Sequence, residues 1–162
     1  MKVPLWVWTV FLVVALLATP VVSAENTNGY KVRPSIGNAS GGNTSADAIN
    51  PLNVITPLTV SNSIIQGQTI RHQFNIGSGV RWLEVNLDWI SSSDSLALTV
   101  YTPGWAKVGT YHDIDDGVID GKIHIDIIPN SGYVEQGAWT FDVYGERVAT
   151  QRTYYLDVYQ HY

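Results

Sequence analysis

Between residues 113 and 121 the chain reads Asp-Ile-Asp-Asp-Gly-Val-Ile-Asp-Gly, a concentrated run of carboxylates in a chain of 162 residues. Calcium takes roughly six to eight hard oxygens, which closely spaced carboxylates and backbone carbonyls supply. Asp113, Asp115, Asp116 and Asp120 are therefore candidate ligands. Asp88 and Asp94 bracket another loop and join them if the fold brings the two loops together. The run is not an EF-hand, because Asp-x-Asp-Asp-Gly is one residue short and the twelfth position is His124 instead of Glu. Asp and Gly are also the residues that make exposed turns, so a plain pair of turns is the competing reading.

Other chemistry is harder to place. His72, His112, His124 and His161 form no pair at metal-ligand spacing, and none adjoins a candidate nucleophile. The serine clusters lack the Gly-x-Ser-x-Gly elbow of a hydrolase. Carboxylates paired only within one loop do not make the opposed arrangement of a glycosidase. Gly77-Ser78-Gly79 has no helix after it and reads as a turn, not a phosphate cradle. With 0 cysteines, thiolate zinc sites and cysteine nucleophiles are excluded. Catalysis is not expected. A net charge of -5, about -6 without Lys2, and no basic stripe argue against nucleic acid. Acidity suits a divalent cation better than an anionic partner.

The elements that must position these groups follow a period of two. Alternation is clearest from Trp82 to Trp89, where Leu83, Val85, Leu87 and Trp89 oppose Trp82, Glu84, Asn86 and Asp88. The same pattern predicts strands over Gln68–Ile76, Ser95–Thr102, Gly121–Ile128, Ala138–Tyr144 and Thr153–Tyr159. Lys107–His112 is a shorter strand. Val54–Val60 contains Pro57 and belongs at a sheet edge. Turn chemistry separates them at Gly77-Ser78-Gly79, Ser91-Ser92-Ser93-Asp94, Thr102-Pro103-Gly104, Asp115-Asp116-Gly117 and Pro129-Asn130-Ser131-Gly132. About eight strands at this spacing predict an all-β antiparallel sandwich of jelly-roll or Greek-key type. In that arrangement Trp82, Tyr101, Tyr144, Tyr155 and Tyr159 face away from the core, and Trp105 stands in a loop. Such aromatics can stack on sugar rings or fill a protein interface; cover by the linker is the plainer alternative.

The first 24 residues read as a signal peptide. One lysine precedes an apolar run from Leu5 to Thr19, then Pro20 and Val22-Ser23-Ala24 form a cleavage signal. An uncleaved membrane anchor competes with this. Residues 25–52, rich in Asn, Ser and Gly, are expected to be a flexible linker. It carries two glycosylation sequons, at Asn38 and Asn43. The folded domain is placed at 53–162.

From about Ile64 to Tyr159 the chain resembles the bacterial and archaeal pre-peptidase C-terminal domain. The resemblance lies in Ile65-Gln66-Gly67-Gln68-Thr69 leading into Phe74, and in Leu83-Glu84-Val85-Asn86-Leu87-Asp88-Trp89. It continues through Asp94-Ser95-Leu96-Ala97-Leu98-Thr99-Val100-Tyr101-Thr102-Pro103-Gly104 and Gly137-Ala138-Trp139-Thr140-Phe141-Asp142-Val143-Tyr144-Gly145. It implies a β-sandwich of secreted hydrolases or surface proteins that serves secretion, adhesion or substrate attachment, sometimes with calcium. The domain is expected to stand without a hydrolase attached. The expectation is a secreted or cell-surface, non-catalytic domain that adheres to an extracellular protein or polysaccharide. The alternative is a filament or sheath subunit whose segment Asn53–Val60 adds a strand to a neighbouring copy.

Overall fold

The computed structural model describes residues 25–35 and 56–162. Its strands are β1 (Glu25–Thr27), β2 (Tyr30–Pro34), β3 (Thr56–Ile64), β4 (Thr69–Ile76), β5 (Trp82–Asp88) and β6 (Ser95–Tyr101). They continue with β7 (Lys107–His112), β8 (Lys122–Pro129), β9 (Gly137–Arg147) and β10 (Arg152–His161). A 3-10 turn spans Asp113–Asp116.

Two sheets form, with strand orders β1-β2-β8-β5-β10-β3 and β4-β9-β6-β7, and every pairing is antiparallel. Seven of the eight strands from β3 to β10 match the expected segments within about three residues at each end. Numbered from β3, the fourfold orders first-eighth-third-sixth and second-seventh-fourth-fifth are those of a jelly roll. The expected sandwich is present.

Alternation does what the sequence demands of it. Leu83, Val85 and Leu87 are fully buried, as are Leu96, Leu98, Val100, Phe141, Val143, Leu156 and Val158. Each such side chain contributes about 1.5–3 kcal/mol by leaving water. Trp89, Trp139 and Tyr154 are the largest side chains in this interior. Their polar atoms are satisfied: Trp139 Nε1 donates to the Glu135 carbonyl at 2.8 Å, and Tyr154 Oη meets His72 Nε2 at 2.6 Å. β3 lies at a sheet edge, where Pro57 requires it, paired with β10 of its own chain from Thr56 to Ile64.

The expected linker over 25–52 needs correction at its start. Residues 25–34 form a hairpin that extends the larger sheet, with β2 pairing β8. Its turn is Asn28-Gly29, with φ of 47° and 88°, the doubly left-handed geometry that fits strand twist. Tyr30 and Val32 are buried, and the Tyr30 ring meets Trp139 edge-on at 5.2 Å. Burial of an aromatic ring outweighs the polar composition around it. The leader, residues 36–55 and both sequons at Asn38 and Asn43 lie outside the described residues.

Candidate functional site

The acidic loop joins β7 to β8, and most of its carboxylates bind backbone. Asp113 is buried and accepts N–H bonds from Asp120 at 3.1 Å, Gly121 at 3.1 Å and Lys122 at 3.4 Å. Asp115 accepts from the His112 N–H at 2.7 Å, and Asp116 from the Val118 N–H at 2.9 Å. The β5–β6 loop packs alongside: the Trp89 N–H donates to the Gly121 carbonyl at 2.9 Å. Asp88 thereby approaches the group, holding the Ile90 N–H at 2.9 Å and facing Lys122 Nζ at 3.8 Å.

Asp120 registers this crowding. Burial raises its pKa, the charges of Asp113, Asp116 and Asp88 add to the rise, and Lys122 opposes it. Asp94 does not join them. It is buried, bonded to Arg152 Nε at 2.6 Å and to the Ala149 N–H at 3.1 Å. Its burial acts to raise the carboxyl pKa, but those two partners hold it below the ordinary range. Among the described residues, no three histidine or carboxylate groups stand in metal-binding geometry.

The six predicted aromatics divide between two faces. On the larger sheet, Trp82 lies flat against His161, with centroids 3.5 Å apart and planes 7° apart. His161 Nε2 is itself 3.0 Å from Glu84 Oε2, while His124 Nε2 sits 2.8 Å from Oε1 of the same carboxylate. One face of Trp82 is thus covered. Tyr159 is half-buried and opposite Glu84, and Tyr155 is exposed opposite Asp88.

The smaller sheet presents a more open surface. Trp105 is 56% exposed and has a φ of 63°, in the β6–β7 turn where its N–H donates to the Thr102 carbonyl at 2.9 Å. The indole lies 6.1 Å from the Tyr101 ring and 5.2 Å from the Arg71 guanidinium carbon. Arg71 grips Asp142 through Nε and Nη2, both at 2.7 Å. Gln73 and Thr140 lie one step along the same face, with Gln73 Nε2 donating to Thr140 Oγ1 at 3.3 Å. Thr99 and Thr110 hydroxyls meet at 2.9 Å beside them. Tyr144, opposite Ala97 and Thr69, is exposed on this sheet too.

A cleft of about 330 Å³ opens between the sheet margins, lined by β2, β7, β8 and Asp113, Asp115 and Asp116. No residue pattern points to this cleft, because it depends on the unexpected β2. Its imidazoles have carboxylate partners: His112 Nδ1 is 3.1 Å from Glu146, and His124 bonds Glu84.

Fold and site together define a jelly-roll domain with an open aromatic and polar sheet face. No family model and no curated protein matches the chain. Among solved structures it is similar to the CspB protease of Clostridium perfringens, at 15% identity and a TM-score of 0.48. That likeness covers 64% of this chain and 25% of the protease chain, so the chain spans about a quarter of that protein. No helix among the described residues is long and apolar enough to cross a membrane.

Proposed function

We propose that this chain is a secreted or cell-surface, non-catalytic binding domain that holds a neutral polysaccharide on the outer face of its smaller sheet. The observation that carries the reading is Trp105, an exposed indole in a strained backbone conformation, set beside Tyr101 and the Arg71–Asp142 pair. Aromatic rings accept the apolar face of a sugar, while a fixed guanidinium–carboxylate pair offers donors and acceptors to adjacent hydroxyls. Arg71 is already neutralised by Asp142, and the chain is acidic, which favours an uncharged glycan over an anionic one. Trp82 is less available, since His161 covers one face of its ring.

The non-catalytic reading is supported by the character of the site, an open sheet face around the exposed Trp105 and not a deep cleft with convergent polar groups. The likeness to the pre-peptidase C-terminal domain fits attachment outside the cell. Calcium belongs to the same proposal as a stabiliser of the loop around Asp120. Addition of calcium raises the melting midpoint if it binds the native state; identical midpoints with calcium and with chelator dismiss it.

A glycan array followed by titration calorimetry tests the main reading. A neutral polysaccharide should bind the wild type and be lost in Trp105→Ala, with its melting curve preserved, and in Arg71→Ala, whose midpoint falls because Asp142 loses its partner. Equal binding by all three proteins, or no binding to any glycan, sinks it.

A further inference from the structure

The exposed large aliphatic side chains of the described residues, Ile65, Ile90, Ile114, Val118 and Ile119, all lie at one end of the sandwich. This is the end where β5 turns into β6 and β7 into β8. Four of them form a patch. Ile114 and Ile119 line one small cleft, and the Ile90 loop touches theirs through Trp89 and Gly121. A Cβ on Gly121 would stand 2.5 Å from the Ser91 nitrogen, so the two backbones are in direct contact. Ile90 is 76% exposed with a φ of 56°. A β-branched residue there accepts backbone strain and exposure at once, and such outliers point to a function. The exposed carboxylates of Asp115, Asp116 and Asp120 are interleaved with these side chains. Of the neighbouring cations, Lys122 and Arg152 are taken by Asp88 and Asp94, while Arg147, exposed beside Ile114 and Ile119, donates to the Ser93 carbonyl and leaves carboxylates in excess at this end.

The opposite end has the complementary character. Tyr133 is 59% exposed and Tyr162 is 38% exposed, with the Arg81 guanidinium 5.9 Å from the Tyr133 ring. Lys107 is exposed at the start of β7, and Glu135 is the exposed carboxylate on that side. One end is thus aliphatic and acidic, the other aromatic and cationic.

We infer that copies of this chain associate head to tail, the Ile90–Ile119 end of one seated on the Arg81–Tyr133 end of the next. Charge selects this occupant. Two like ends would press Asp115, Asp116 and Asp120 against their own copies, and an anionic bilayer would repel them. A heterologous contact that does not close into a ring propagates as a linear assembly. This contact adjoins the glycan face, since Lys107 begins β7 two residues after Trp105, and it differs from strand addition because β3 remains paired within its own chain.

Sedimentation velocity of the chain as its host exports it tests the inference, over a range of protein and salt concentrations. Species growing steadily with protein concentration and shrinking with salt are expected. Ile90→Lys with Ile119→Lys blocks one end by setting cations against the cationic end it would meet, and Arg81→Ser with Tyr133→Ser removes the contacts of the other. These are exposed positions, and circular dichroism verifies that each variant folds. Each variant alone should be monomeric, and their mixture should yield a one-to-one dimer that grows no further. A wild type monomeric at every concentration overturns the inference. So does either variant assembling alone, a mixture that stays apart, or wild type that floats with lipid vesicles without self-associating.

Discussion

The Arg71 guanidinium stands 5.2 Å from the Trp105 ring while its Nε and Nη2 hold Asp142 at 2.7 Å each. The bidentate bond fixes the plane of the guanidinium, so the indole and its polar neighbours form one rigid surface. Lysine keeps the charge at position 71 but loses the fork. Arg71→Lys should therefore weaken glycan binding at least tenfold with little change in melting midpoint, as read by calorimetry. Retained affinity would mean that charge alone matters at this position.

Ile90 is the place where stability and exposure conflict most openly. Its N–H bond to Asp88 survives substitution by glycine, its side chain is largely in water, and its φ of 56° suits glycine. Relief of roughly 1–2 kcal/mol of left-handed strain exceeds the added entropy of an unfolded glycine. Ile90→Gly should raise the unfolding free energy by about 0.5–1 kcal/mol in urea titration. A loss of stability would place Ile90 in contacts that its exposure does not suggest.

The N-terminal hairpin is expected to be part of the folding unit. Tyr30 fills core against Trp139, and its hydroxyl accepts the Glu135 N–H at 3.2 Å. By analogy with other aromatic truncations, Tyr30→Ala should cost about 3 kcal/mol. A denaturant midpoint unmoved by this change would detach residues 25–34 from the domain.

Within the acidic loop, geometry predicts unequal roles for neighbouring aspartates. Asp113→Ala strips the acceptor from three backbone N–H groups in a buried setting and should cost about 3 kcal/mol. Asp116→Ala removes one exposed bond to Val118 and should cost well under 1 kcal/mol. Thermal melts of the two variants separate a structural Asp113 from a merely solvated one.

Acid should weaken the fold in two ranges. Burial lowers the His72 pKa, only partly offset by Asp142. The native state therefore favours neutral imidazole, and this contribution is full above about pH 6.5 and lost as pH falls toward the folded value. Asp94, depressed by Ala149 and Arg152, contributes stability above its unfolded value that is lost at lower pH still. Asp120 works in the opposite sense, because its raised pKa makes protonation favour the folded state. The two steps are thus read as differences: His72→Gln should remove the upper one, and Asp94→Asn should flatten the lower. A wild-type midpoint constant from pH 7 to pH 5 contradicts the His72 assignment.

Much of the architecture was legible in the order of residues. Leu83, Val85 and Leu87 had to share a face because strand side chains alternate, and Pro57 had to lie at an edge because it cannot complete a ladder. Those are local rules, and they held through eight strands. The Asn28-Gly29 signal for the missed hairpin was also present, but polar neighbours obscured two apolar residues. What the tertiary structure alone decided was which distant groups meet. Sheet order places Glu84 between His124 and His161, carries Asp94 to Arg152 and away from the loop carboxylates, and sends the six aromatics to opposite faces. Periodicity fixes the side of a strand on which a residue stands; only the pairing of strands remote in sequence fixes its neighbours.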